Sequence, residues 1–290
     1  LAEKAFNFPV TGTTSLRYRL RMDDNDNEDQ DIYHYAAIEI GDKRRHFVTG
    51  HADARLTADL DGRRMGLNSD VFTSLQDTYG DPVHAYLYSA YADFHQLKGI
   101  ESLRAGRQWN FETPDVLQFD GLRLDTEPCF GSHELQASFY GGKPVHLYES
   151  SQRDDWLGGF AAQGRPWKSA LMRLDYTHIS DDVSLISNSP DPTDQSLNPR
   201  QRGVRHDNLT ALSMWQTLKN PNIRLFGRFQ IIDDQARDLM LRSVYYNQQH
   251  KLQVAATYQA AFERKDNLVT DLDPFTTVLQ AQQPYHTGNL

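Results

Sequence analysis

Eight arginines share one property. Arg17, Arg19, Arg21, Arg55, Arg104, Arg173, Arg224 and Arg228 each stand in a stretch of alternating polar and apolar residues, always on its polar positions. A guanidinium stays charged at any physiological pH and grips carboxylate or phosphate through two parallel hydrogen bonds. Arginines ringing an aqueous passage are one way a pore selects anions. Asp53, Asp59, Asp93 and Asp175 occupy the same positions of their own stretches. A second chemistry is therefore open, in which the two signs neutralise each other and fill the interior with salt bridges. Either arrangement demands charge on this face, and selectivity is a further property.

Other chemistries find less support. His34, His51, His84, His95 and His178 are scattered with no ligand spacing. Ser89, Asp93 and His95 fall on one parity of one stretch, but no nucleophile-elbow motif accompanies them, and no catalysis is expected. The single cysteine, Cys129, can form no internal disulfide, and neither a zinc spacing nor a C-x-x-C-H haem site occurs, so no cofactor or metal is expected. The acidic run from Asp23 to Asp31 lacks the glycine and closing glutamate of a helix-loop-helix calcium site. It reads as a solvated outer loop, bridged by divalent ions to lipopolysaccharide. A formal net charge of −9 argues against a nucleic-acid partner.

The elements that must position these side chains are strands. In Leu16-Arg17-Tyr18-Arg19-Leu20-Arg21-Met22 the even residues are apolar and the odd ones are arginine, which in extended backbone gives one greasy and one cationic face. Strands are expected at 14–22, 32–40, 47–60, 83–97, 100–109, 116–125, 134–140, 156–164, 168–178, 208–218, 223–232, 237–247 and 250–261, with a fourteenth through 275–286. In the fourth, Tyr86, Tyr88, Ala90, Ala92 and Phe94 are expected opposite Ser89, Tyr91, Asp93 and His95. Three stretches, 116–125, 208–218 and 237–247, fit either parity poorly and are candidates for bulges.

No run of eighteen apolar residues exists, so no helix can span a bilayer. A mean hydropathy of −0.66 does not count against a barrel, whose strands are half polar. The stretches have about the ten residues that a tilted strand needs to cross. Short links at 41–46, 98–99, 165–167, 219–222 and 248–249 alternate with longer ones at 23–31, 61–82, 141–155 and 179–207, the pattern of short periplasmic turns and long outer loops. The link at 126–133 is of middle length, and that near 233–236 is short where a long one is due. The apolar parity is rich in alanine and tyrosine, and Tyr86, Phe94, Tyr176 and Tyr258 suit an aromatic girdle.

Residues 103–125 carry a resemblance. Gly106-Arg107-Gln108 followed by Phe119-Asp120-Gly121-x-Arg123 resembles the bacterial alginate-export family of outer-membrane barrels. The resemblance implies a monomeric pore with an anion-selective lumen for a polyuronate, and places Arg107 and Arg123 in the lumen near a constriction. Gly106 and Gly121 also have a plainer reading, relief of crowding where strands bend.

The expectation is a single all-β domain over 1–290, an antiparallel up-and-down transmembrane β-barrel in a bacterial outer membrane. About fourteen strands are visible, which either close the barrel by themselves or, the favoured expectation, form part of a larger barrel that continues past residue 290. It is expected to contact lipid and lipopolysaccharide and to act as a channel for anionic or saccharide solutes. An alternative is a scaffold barrel sheathing a multihaem cytochrome or another periplasmic partner. A second alternative is a soluble β-sandwich binding module, which would bury Leu16, Leu56, Met172 and Val254 beneath another protein layer.

Overall fold

A computed structural model describes residues 8–22, 28–60, 82–111, 116–145, 155–186, 200–218, 222–247, 249–262 and 285–289. Fourteen strands follow one another: β1 (Val10–Met22), β2 (Glu28–Ile40), β3 (Val48–Asp59), β4 (Val83–Phe94), β5 (Ile100–Asn110), β6 (Leu117–Thr126) and β7 (Gln136–Pro144). The second half comprises β8 (Trp156–Gly164), β9 (Ala170–Ile186), β10 (Arg200–Thr217), β11 (Ile223–Ile232), β12 (Gln235–Asn247), β13 (Leu252–Ala261) and β14 (Tyr285–Asn289). They make one sheet whose spatial order is the sequence order, and each pair is antiparallel. Among the described residues, β1 pairs only with β2 and β14 only with β13.

This is the up-and-down all-β architecture expected. The differences lie at strand ends. β9 runs on to Ile186 and β10 begins at Arg200, so the expected link 179–207 is largely strand. β14 covers only the end of the stretch expected at 275–286, of which 275–284 lie outside the described residues.

Among the described residues no second layer covers the sheet, because each strand packs on its sequence neighbours. Leu16 is 73% exposed, Leu56 43% and Val254 44%, and Met172 is half-exposed. The sandwich reading, which required these residues to be buried, is thereby removed.

The other face is crowded. Asp31 and Thr177 are fully buried on it, and its rows follow the register: Arg19 opposite Asp31, Asp31 opposite Asp59, Asp93 opposite Arg104, Arg104 opposite Arg123. At the end of the sheet bearing the links 111–116, 145–155, 187–199 and 233–234, this face turns apolar. Leu117, Phe119, Tyr140, Leu157, Ile179, Leu209 and Ile232 form a buried cluster there. Burial of a large side chain contributes about 1.5–3 kcal/mol. The cluster explains why 116–125 and 208–218 fit neither parity: Phe119 shares a face with Arg123, and Leu209 with Ser213. No residue inside either stretch is extra to the register. The third stretch does hold a bulge, since Gln230 faces Asp238 while Ile231 faces Ala236, leaving Arg237 over.

A bulge also overturns part of the expected fourth strand. Asp53 faces Ser89 but Ala54 faces Leu87, so Tyr88 is an extra residue. Such an insertion reverses the parity of everything beyond it. Tyr86, expected among the lipid-facing aromatics, is instead 7% exposed and donates a 2.6 Å hydrogen bond to Gln118 Oε1.

Between β5 and β8 the sheet is creased by glycine. Gly106 faces Gly121, and Gly121 faces Gly142. A Cβ would collide with the Ala90 carbonyl at Gly106, with the Gly141 carbonyl at Gly121 and with the Asp120 carbonyl at Gly142. Gly106 also has φ +129°, a region closed to side chains. One strand further, Tyr140 lies over Gly159 and its hydroxyl is hydrogen-bonded to Thr177 Oγ1. Tyr140→Phe keeps the ring and removes that bond, so the folded protein should lose about 1 kcal/mol. The urea midpoint of tryptophan fluorescence measures the loss, and an unchanged midpoint refutes it.

Candidate functional site

The crowded face gathers most of the charged residues expected to act together, and it gathers them as pairs. On β1, Arg21 donates to Asp29 at 2.7 Å, and Arg19 is paired with Asp31, which also accepts from the Tyr33 hydroxyl at 3.1 Å. Asp29 and Asp31 are buried and belong to β2. The last part of the acidic run, Glu28 to Asp31, is therefore strand and not loop, and 23–27 lie outside the described residues. Arg17 stands opposite Tyr33, is exposed and makes no ion pair among the described residues.

Arg104 holds Asp93 through two bonds of 2.7 and 2.9 Å and lies 3.9 Å over the Tyr91 ring. Arg107 holds Asp120 at 2.8 and 2.7 Å. It sits in the row of Ala90, three rows from the Arg104–Asp93 row and on the opposite parity, so the register does not place it on the face of Arg104. Arg123 donates to Asp125 at 3.0–3.1 Å, and Asp125 also accepts from Ser138 at 2.6 Å and Ser102 at 3.2 Å. Arg173 repeats the arrangement with Asp175 at 2.9 and 3.0 Å. Arg55 lies 5.5 Å over the Tyr88 ring. Asp59 is buried opposite Asp31, and Asp53 stands 3.6 Å from His51 Nε2.

The network is half visible in the sequence. Arg123 and Asp125, like Arg173 and Asp175, are two residues apart on one strand, as the repeated R-L-D shows. The β1–β2 pairs mirror each other about the turn between those strands. Asp29, Asp31 and Asp120 escape as partners, because an acidic loop or a glycine motif claims each of them and only the register assigns its arginine.

At the far side of the sheet the pairing thins. Arg224 and Arg242 are exposed and make no ion pair among the described residues. Their rows adjoin, Arg242 lying opposite Phe226 and Arg224 opposite Val244, with Arg228 on the same face opposite Met240. Arg242 is absent from the arginines expected on the polar face because the bulge at Arg237 obscures its parity.

Ser89 and Asp93 of β4 and the adjoining His95 do not assemble. Ser89 lies opposite Asp53, Asp93 is taken by Arg104, and His95 Nε2 is bonded to Thr49 Oγ1 at 2.9 Å. A cleft of about 640 Å3 opens beside them, lined by Tyr88, Tyr91, Arg104, Trp109, Phe111 and Arg123, with Tyr35, His51, Asp53 and Ser89 completing it.

No family model matches this chain, and no curated protein matches it. Among solved structures it is similar to Salmonella typhi OmpF in complex with daunomycin, at 8% sequence identity and a TM-score of 0.39. The similarity covers 90% of this chain and 92% of that one.

Proposed function

We propose that the chain forms the wall of a bacterial outer-membrane channel that passes anionic or saccharide solutes along its arginine-bearing face. One observation carries the reading. A wall one sheet thick is greasy and uncovered on one face, and charged and hydrogen-bonded on the other. Leu16, Leu20 and Met22 of β1, Leu225 of β11 and Leu241 of β12 all lie open on the apolar face. Water disfavours such continuous apolar area by about 25 cal/mol per Å2, whereas hydrocarbon does not. Pairing on both sides of β2 to β13 meets most of the demand that lipid makes on backbone N–H and C=O groups. The resemblance around Gly106 and Gly121 points to the same class of protein.

The ion pairs refine the reading. Arginines bound to aspartates keep the passage wet without attracting anions strongly. Selectivity then falls to Arg17, Arg224 and Arg242. In planar bilayers the purified protein should conduct, and Arg224→Ala with Arg242→Ala should lower anion over cation permeability. The ratio should fall by about fivefold at most for each charge removed, since a unit charge in water is worth about 1 kcal/mol at 4 Å. The reversal potential under a salt gradient measures it. An unchanged potential removes the selective role, and absence of any conductance removes the channel.

A further inference from the structure

The cleft between β2 and β6 is walled by rings. Trp109 and Phe111 lie nearly parallel, 5.7 Å apart at 13°. Tyr91 stacks on His51 at 5.0 Å and 27°, and Tyr35 stands 6.5 Å from Tyr88. Its volume falls within the range of about 300–1,000 Å3 typical of small-ligand sites.

Its charges cancel. Arg104 is bound to Asp93 and Arg123 to Asp125, while Arg55 lies behind Tyr88 and Asp53 beside His51. Three guanidinium groups thus meet three carboxylates. A site for phosphate or a uronate needs positive charge in excess, and none is found here. What remains is flat apolar surface with hydrogen-bonding groups between. Arg104 has five N–H donors and spends two on Asp93. Ser89 contributes a hydroxyl. Asp53 Oδ1 is buried with no hydrogen-bond partner among the described residues, an acceptor whose desolvation is costly until a donor reaches it.

A ligand that matches has an apolar face, a rim of hydroxyls and no charge. We infer that this cleft is a binding subsite for an uncharged saccharide, whose pyranose ring stacks on Trp109 and Phe111 while its hydroxyls meet Arg104, Ser89 and Asp53. The inference rests on the channel reading, and it narrows the solute from anionic or saccharide to neutral saccharide.

Maltohexaose and hexagalacturonate, matched in length and opposed in charge, serve as probes in planar-bilayer recordings. Maltohexaose should interrupt the current at lower concentration than hexagalacturonate. Trp109→Ala and Phe111→Ala should each raise its half-blocking concentration by about threefold to tenfold, and Asp53→Asn should raise it as well. Trp109→Phe should restore most of the lost affinity. Phe111 is 69% exposed, so its replacement leaves the packing alone and tests the cleft even if the Trp109 variant does not fold. Tighter block by hexagalacturonate overturns the inference. So does a conducting channel that neither sugar blocks, or block that persists unchanged in Phe111→Ala, and both outcomes leave the channel standing. A preparation with no conductance overturns channel and subsite together.

Discussion

Gly106→Val should abolish the compact, detergent-resistant form of the protein on unheated gels. Two penalties coincide at this position. The backbone has φ +129°, which a branched side chain resists, and a Cβ would meet the Ala90 carbonyl and the Tyr91 Cα of the adjoining strand. Backbone strain and overpacking each cost about 1–3 kcal/mol, together a large share of the roughly 5–15 kcal/mol that holds an ordinary domain folded. Gly131→Val provides the comparison. It also has positive φ, but nothing lies within contact of its missing Cβ, so only the strain applies. Equal tolerance of valine at both sites would show that β4 and β5 do not approach as closely as described.

The second large effect concerns Arg173 and Asp175. Their side chains are 12% and 3% exposed, and the guanidinium donates to both carboxylate oxygens. Arg173→Ala leaves a buried carboxylate without the cation that neutralises it, and breaking such a pair costs about 3–5 kcal/mol. Replacing both, Arg173→Met with Asp175→Leu, removes the charge along with its partner and should cost markedly less. Urea midpoints of the two variants decide the matter. If the single replacement is no worse than the double, the pair carries no stabilising role.

Much of the fold is legible in the alternation of side chains alone. The third strand, expected at 47–60, spans Val48–Asp59, because alternation over a dozen residues leaves little freedom. Tyr86 shows where that logic stops. One extra residue, Tyr88, reverses the side on which Tyr86 points, and nothing in Leu87-Tyr88-Ser89 announces a bulge. Phe119 and Leu209 mislead differently: they are apolar residues on the charged face, where local polarity follows the crowded end of the sheet instead of strand parity. The arginines themselves are legible, since charge on alternate positions needs only the pleat. Their partners depend on register, which the alternation leaves open. Trp109 and Phe111 escape notice because they stand at odd positions, on the parity opposite to Arg104.

The ion pairs have one more property. Arg123–Asp125 and Arg173–Asp175 each lie within a single strand, while Arg19–Asp31, Arg21–Asp29, Arg104–Asp93 and Arg107–Asp120 each join strands consecutive in the chain. Every one of these charges therefore meets its counterion within one hairpin. A polypeptide entering a membrane two strands at a time can carry such arginines across as electrically silent units, before any distant strand has arrived.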